Sequence, residues 1–185
     1  MRKLFQYGGI AASVVLIAFG IGSIYMGVDG RGYVRDNLAA EKIVGTEDST
    51  IPGQLVDTGA EAQAFAKVMR KHTLESTGGK TYSEMGRFLT ADGKDTNDEA
   101  AAAKDDAGKP VENGLRNLWV TETALTTALN TAYFAEQVAL FSIVMGVAML
   151  LAGAGFGVLT VRALVPAETR EGKQAQAGPA AVTSA

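Results

Sequence analysis

Two long apolar segments interrupt an otherwise polar chain. Residues 8–27 and 137–161 contain no Asp, Glu, Lys or Arg. A helix rises about 1.5 Å per residue, so each segment is long enough to cross a hydrocarbon core of about 30 Å. No Gly or Pro separates the second segment from the residues before it, back to about Leu115. We therefore predict two transmembrane helices, the second of which begins well before its apolar part.

The first segment has an alternative interpretation as a cleaved signal peptide. Signal peptides have an apolar core of about 7–15 residues and a small-x-small cleavage motif. The apolar run here is longer, and Ile24, Tyr25 and Met26 make a poor cleavage context. We therefore favour a retained helix.

Small residues recur every seven positions in both segments. Because no hydrophobic effect drives helices together in lipid, close packing favours small side chains. In an antiparallel hairpin, the small residues of one helix would face those of the other in reverse order. The alternatives are a contact between copies of the chain through Gly153 and Gly157, or a chance recurrence. The predicted helix-packing residues are Ser13, Gly20 and Gly27 in the first segment and Ala139, Gly146, Gly153 and Gly157 in the second.

The same spacing continues towards the N-terminus, outside the apolar run, to Ala132, Leu125 and Leu118. The first helix is predicted to continue over residues 33–43. We expect its Val34 and Leu38 to meet Ala132 and Leu125.

The intervening region is predicted to be a small helical domain. Thr58-x-x-Glu61 is a capping box, and Gly78-Gly79 is a helix stop, so residues 58–77 should form a helix. Thr81-x-x-Glu84 is a second box, predicted to open a short helix through Leu89.

Charge sets the expected orientation. Arg2 and Lys3 precede the first segment and Arg162 follows the second, while residues 28–136 carry 12 basic against 18 acidic residues. Positive charge favours the cytoplasmic side. The expected fold is an all-α membrane protein, an antiparallel two-helix transmembrane hairpin with extended helices in the plasma membrane. Its parts are a cytoplasmic N-terminus (1–7), transmembrane helices (8–27 and 137–161), an extracytoplasmic helical domain (28–136) with a flexible acidic loop (91–113, with at most one helical turn at 98–104), and a disordered cytoplasmic tail (162–185).

Composition limits the chemistry. The net charge of −3 argues against a nucleic-acid partner, because a phosphate backbone requires a basic surface. The chain has no cysteine, which excludes disulfides, thiolate metal sites and thiol nucleophiles. It has one histidine, and we expect no cofactor.

Two groups of residues carry the ligand types that metals use. His72 and Glu75 lie three residues apart on a predicted helix. Asp92, Asp95 and Asp98 lie in a Gly-containing loop but do not match the calcium-loop pattern. Solvated surface charge is the favoured interpretation of both groups, and a metal site is the alternative. Trp119 is expected in the core or as an aromatic anchor, and Glu122 and Glu136 as polar ends near the membrane interface.

Three segments together resemble a group of short, uncharacterised actinobacterial two-span membrane proteins. They are YGGIAASVVLIAFGIG at 7–22, HTLESTGGKTYSEMGR at 72–87 and WVTETALTTALNTAYFAEQVAL at 119–140. The resemblance covers nearly the whole chain up to the tail, and some of these proteins carry a label as an aromatic ring-opening dioxygenase. The resemblance provides no catalytic residue that can be assigned to this chain. Non-haem iron enzymes of that kind use two histidines and a carboxylate, so the single histidine disfavours this activity unless another subunit supplies ligands.

The sequence therefore favours a non-enzymatic accessory or interaction component of the cell envelope. Its expected partners are the lipid bilayer and either a second copy or another membrane protein. The alternative is an extracytoplasmic ligand-binding or sensing module, and a metal-dependent dioxygenase ranks third.

Overall fold

The computed structural model describes residues 2–164 and is mostly helical. Two long apolar helices, α1 and α3, contain 39 and 51 residues, and a shorter helix, α2, contains 18. The long helix predicted to start near residue 115 is confirmed. The expected disordered tail lies, from residue 165 onward, outside the described residues. The elements are α1 (Arg2–Ala40), α2 (Gly59–Ser76), a 3₁₀ turn (Tyr82–Glu84), β1 (Phe88–Leu89), β2 (Asp95–Thr96) and α3 (Gly114–Leu164).

The chain divides into two compact units. The first consists of the chain up to Met26 and the chain from Ser142 onward, and the second is Gly27–Phe141. The boundaries between the units fall inside α1 and α3, so both helices contribute residues to both units.

In the first unit, small residues of α1 and α3 meet at backbone distance. The Ser13 hydroxyl donates a hydrogen bond of 2.6 Å to the Gly153 carbonyl. A Cβ added to Gly20 would lie 2.8 Å from the Gly146 carbonyl oxygen, and one added to Gly146 would lie 2.7 Å from the Gly20 oxygen. A Cβ on Gly157 would lie 3.0 Å from the Ser13 hydroxyl oxygen. These approaches leave no room for a side chain on either glycine of the central pair.

In the second unit, Gly27 and Ala139 are both buried. A Cβ on Gly30 would lie 3.6 Å from the Ala139 Cβ, an ordinary van der Waals distance. The small residues thus occupy covered positions here too, at a looser spacing than at Gly20 and Gly146.

The core of the second unit lies where α1, α2 and α3 meet. Its buried members come from all three helices and from the loop before α2, whose Val56 is completely buried. Val34, Phe65, Met69 and Ala132 pack against this cluster. Burial of a Val or Leu side chain contributes about 1.5–3 kcal/mol. The buried members are Leu38, Val56, Ala62, Ala66 and Leu129.

The predicted caps of α2 are confirmed. The Thr58 hydroxyl accepts from the Glu61 amide, and the Glu61 carboxylate accepts from the Thr58 amide, which completes a capping box. At the other end Thr77 is the C-cap, and Gly78 and Gly79 follow with positive φ angles of 62° and 81°. Glycine adopts this conformation without steric cost, so the stop signal works as expected.

The short helix predicted to run through Leu89 is wrong. The capping box at Thr81 and Glu84 is present, but it opens only a 3₁₀ turn. Phe88 and Leu89 instead pair antiparallel with β2. The Asp95 carboxylate accepts from the Gly86 amide at 2.7 Å, so a backbone donor that a helix would use is bonded to β2.

The acidic segment 91–113 also contains β structure that the all-α prediction lacked. It contributes β2, and isolated bridges join Phe88 to Glu112 and Lys104 to Pro110. Residues 98–104 form turns and bends, with no helical turn. The Leu89 amide donates to the Val111 carbonyl at 3.0 Å, so the segment is hydrogen-bonded back to β1.

The continuation of the seven-residue spacing to Leu125 and Leu118 leaves both side chains exposed. Their exposed fractions are 49% and 38%, whereas Leu129 occupies the core position beside Leu38. A straight α-helix drifts about 20° per seven residues, so a seven-residue stripe rotates away from its partner. In this unit α2 packs on α3, so the buried residues of α3 lie on the face that α2 covers.

We predict that Gly20→Ala destabilises the protein by about 1–3 kcal/mol, because the added methyl would overlap the Gly146 carbonyl. Gly22→Ala is the matched control: it lies on the same helix, and a Cβ there meets nothing within 4 Å. Thermal unfolding of the full chain in mild detergent measures the difference. Equal unfolding temperatures for the two variants would contradict the close approach.

Candidate functional site

The second unit contains an apolar groove with a volume of about 710 Å³. This is in the range of small-molecule sites, which occupy about 300–1,000 Å³ and are mostly apolar. All three helices line it. The apolar groove is defined by Val34 and Leu38 of α1, Ile43 of the loop after α1, Phe65 and Met69 of α2, and Leu125, Ala128, Leu129, Ala132 and Ala135 of α3, with polar Tyr33, Asn37, Glu41 and Thr131.

The floor of the apolar groove is the protein core itself. Leu38 and Leu129 are buried members of the core cluster, and Val34 and Ala132 pack against it. The polar lining residues are exposed, as is Ala128. The groove therefore offers a fixed apolar floor with hydrogen-bonding groups at its solvent-accessible margin.

One carboxylate holds the three helices in place around this groove. Glu136 of α3 accepts from Arg31 of α1, at 3.2 Å from Nε and 3.0 Å from Nη2. Its other oxygen accepts from the Gly59 amide of α2 at 2.7 Å. We call Glu136, Arg31 and Gly59 the Glu136 clamp. Glu136 was expected only as a polar end near the interface, and the clamp was not predicted.

The Glu136 clamp uses the start of α2 as a donor. The first amides of a helix lack partners within the helix and carry a partial positive charge, which favours a carboxylate. A Cβ on Gly59 would lie 2.8 Å from both Glu136 Oε2 and the Tyr133 Cα, so a side chain there would separate α2 from α3. Arg35 of α1 also forms an ion pair with Asp57, in the loop just before α2. Its Nη2 atom lies 2.9 Å from the Asp57 Oδ2.

We predict that Glu136→Ala lowers the free energy of unfolding by about 1–3 kcal/mol, because it removes charge-assisted hydrogen bonds to both α1 and α2. Glu136→Gln should retain part of this, since the amide oxygen can still accept from Gly59. Glu47→Ala, at an exposed carboxylate, is the control. Denaturant unfolding of the full chain in detergent gives the values, and a loss no larger than for Glu47→Ala would refute the clamp.

His72, a weak candidate metal ligand in the sequence, contacts a residue of the loop before α2. His72 Nε2 lies 2.9 Å from the Asp48 carboxylate, which also accepts from Lys71 at 2.8 Å. Hydrogen bonds from Lys71 and then His72 hold the pKa of the Asp48 carboxyl well below its usual range. Glu75 lies 3.9 Å from the Lys71 ammonium. Asp48 thus ties the loop before α2 to the helix, a role the sequence did not indicate.

The three predicted aspartates do not converge on a common point. Asp92 pairs with Lys94 at 2.8 Å, and this contact, followed by one from Thr90, lowers its pKa. Asp95 bonds Gly86 and Lys80, which lower its pKa in that order. Asp98 accepts from the Ala100 amide at 2.9 Å. Among residues 2–164, no three His, Asp or Glu side chains are grouped so as to hold a metal ion.

Trp119 lies in the core. It is buried, its indole N–H donates to the Lys80 carbonyl at 3.0 Å, and the Arg70 guanidinium lies 5.2 Å from its ring centroid. Glu122, one turn further along α3, is 3% exposed and accepts from Thr123 at 3.3 Å. It lines a cavity of about 180 Å³ together with Arg70.

Comparison with known proteins gave no match. No family model, no curated protein and no solved structure is similar to this chain at a significant level.

Proposed function

We propose that this chain is a two-pass membrane protein in which α1 and α3 form an antiparallel transmembrane hairpin. Its role is that of a non-enzymatic accessory or interaction component of the cell envelope. Residues 28–136 form its extracytoplasmic domain, and both ends of the chain lie in the cytoplasm. We also propose that the chain belongs to the actinobacterial two-span group that its sequence resembles.

The observation that carries the proposal is how little of the two apolar helices is covered. In the most apolar stretch of 18 residues in each helix, 11% of residues are buried in α1 and 17% in α3. The core helix of a water-soluble protein would be mostly buried. Exposed large apolar residues such as Phe19, Leu151 and Leu159 are instead suited to lipid.

The interaction role is supported by apolar surface beyond the proposed span. Leu115, Leu118 and Val120 are exposed on the part of α3 that belongs to the second unit. Exposed apolar residues grouped on one element are typical of surfaces that bind another protein. The ring-opening activity has no comparable support, because its iron site needs two histidines and the whole sequence contains one.

Topology can be tested with single cysteines, because the chain has none of its own. We expect a membrane-impermeant maleimide to label Asp106→Cys, an exposed turn position, on intact cells. Ala185→Cys should react only after lysis. Labelling of Ala185→Cys on intact cells would overturn the two-pass arrangement.

The interaction role is tested by extraction in mild detergent followed by native mass spectrometry. We expect a stoichiometric complex, with a second copy or with another membrane protein. Val120→Gln should weaken it by removing exposed apolar surface, whereas Thr121→Gln, at the neighbouring exposed position, should not. A lone wild-type monomer would count against this function.

A second candidate function is ligand binding by the extracytoplasmic domain. The apolar groove is the observation that favours it, because its floor is apolar and its polar groups lie at the margin. This function is compatible with the membrane placement and needs no catalytic residue.

A further inference from the structure

A second cavity, between α2 and α3, is lined mainly by polar side chains and shares no residue with the apolar groove. Its volume of about 180 Å³ equals that of about six water molecules at about 30 Å³ each, so a small molecule with a similar number of non-hydrogen atoms fits. We call it the Glu122 cavity. Its lining consists of Ala66, Lys67 and Arg70 of α2 and Glu122, Thr126 and Asn130 of α3.

The carboxylate of this cavity is buried without a cation beside it. Glu122 is 3% exposed, and within residues 2–164 its side chain accepts one hydrogen bond, from the hydroxyl of its neighbour Thr123 at 3.3 Å. No Lys, Arg or His nitrogen of the same residues lies within 4.0 Å of its oxygens. Burial of a carboxylate is unfavourable unless the charge is paired and hydrogen-bonded. Glu122 is therefore able to bind a cationic group.

The two cations of the lining also have no carboxylate partner in the described part of the chain. The Arg70 guanidinium lies over the Trp119 ring, 5.2 Å from its centroid, in a cation–π contact. The Lys67 ammonium makes no ion pair or hydrogen bond with the described residues. Lys67 and Arg70 are exposed, whereas Glu122 is buried. The cavity thus has negative charge at its base and positive charge at its entrance.

This distribution of charge selects the kind of ligand. A simple cation is attracted by Glu122 but repelled by Lys67 and Arg70, and a simple anion meets the reverse. A zwitterion satisfies both signs, because its ammonium group can donate to the carboxylate while its acid group binds the cations. Thr126 and Asn130 add hydroxyl and amide groups that can donate to the acid group.

We propose that the Glu122 cavity binds a small amino acid as its zwitterion, with the ammonium on Glu122 and the carboxylate on Lys67 and Asn130. The helices run antiparallel here, because the start of α2 bonds Glu136 and the Lys80 carbonyl, just after α2, accepts from Trp119. Lys67 therefore lies nearer than Arg70 to the Asn130 end of the cavity. The inference depends neither on the proposed membrane placement nor on the apolar groove.

The test is saturation-transfer NMR on the full chain in mild detergent, with glycine, β-alanine and 4-aminobutyrate as probes. We expect saturable binding of at least one probe. The amine and the carboxylate of the same chain length, which each lack one charge, should bind at least about tenfold more weakly, or about 1.4 kcal/mol. Equal binding of either would overturn the zwitterion site, and so would the absence of binding by all three probes. Neither result would affect the proposed membrane placement.

Substitutions distinguish the cavity from general surface charge. Lys67→Gln removes one entrance cation at an exposed position, and Glu122→Gln replaces the buried carboxylate with an amide of similar size. Each should weaken binding of the zwitterion about tenfold. Lys109→Gln is the matched control for Lys67→Gln, because it makes the same change in net charge at an exposed position outside the cavity lining. It should leave the affinity unchanged.

Thermal unfolding shows whether each variant is folded. If the buried Glu122→Gln substitution prevents folding, the exposed Lys67→Gln substitution still decides the test. Unchanged affinity for the zwitterion in a folded Lys67→Gln or Glu122→Gln variant would overturn the inference. An equal loss of affinity in Lys109→Gln would also overturn it, because net charge alone would then account for the binding.

Discussion

The arrangement of the second unit depends on one carboxylate that accepts three hydrogen bonds from two partners. Glu136 lies on α3, yet it accepts hydrogen bonds from the Arg31 guanidinium of α1 and from the Gly59 amide at the start of α2. A partly buried carboxylate is stable only when its charge is balanced and its oxygens are bonded, and here both conditions are met across three helices. The position of α2 is thereby set at its first residue, and the capping box at Thr58 and Glu61 sets its direction.

The groove follows from that placement. With α2 held by its N-terminus, Phe65 and Met69 are brought beside α1 and α3, where they line the groove and pack on the core. Smaller residues on the facing side, Ala128 and Ala132, leave the space between the helices unfilled. The residues of the Glu136 clamp do not line the apolar groove. A ligand can therefore enter the groove without breaking the hydrogen bonds of the clamp.

Much of the helical structure was predictable because its signals are local. A long run without Gly or Pro predicted α3, and the Thr58–Glu61 box with Gly78-Gly79 gave the ends of α2. The same local signal failed at Thr81, where the box is formed but the Gly86 and Arg87 amides bond to the side chains of Asp95 and Asn97. The β pairing was missed because two-residue strands have no periodicity, and their register depends on contacts such as Asp95 with Gly86.

The candidate site was less accessible to sequence reasoning. Leu125 and Leu118 continue the seven-residue spacing of the packing residues, yet the structure leaves them exposed because a straight helix rotates relative to a seven-residue repeat. His72 and Glu75 share a helix face, but Asp48, 24 residues away from His72 in sequence, is what His72 contacts. The only advance sign of the clamp was Glu136 itself, a charge directly before an apolar segment.

The sequence by itself determined the properties that depend on composition and on short spacings. These are the two apolar helices, the ends of α2, the recurrence of small residues and the exclusion of cysteine chemistry. Only the tertiary structure decided which face of α3 is buried, which groups bond to Glu136 and where a groove remains open. The physical reason is range: helix propensity and capping act within about one turn, whereas the clamp joins residues 105 and 77 positions apart and forms only when three helices have packed.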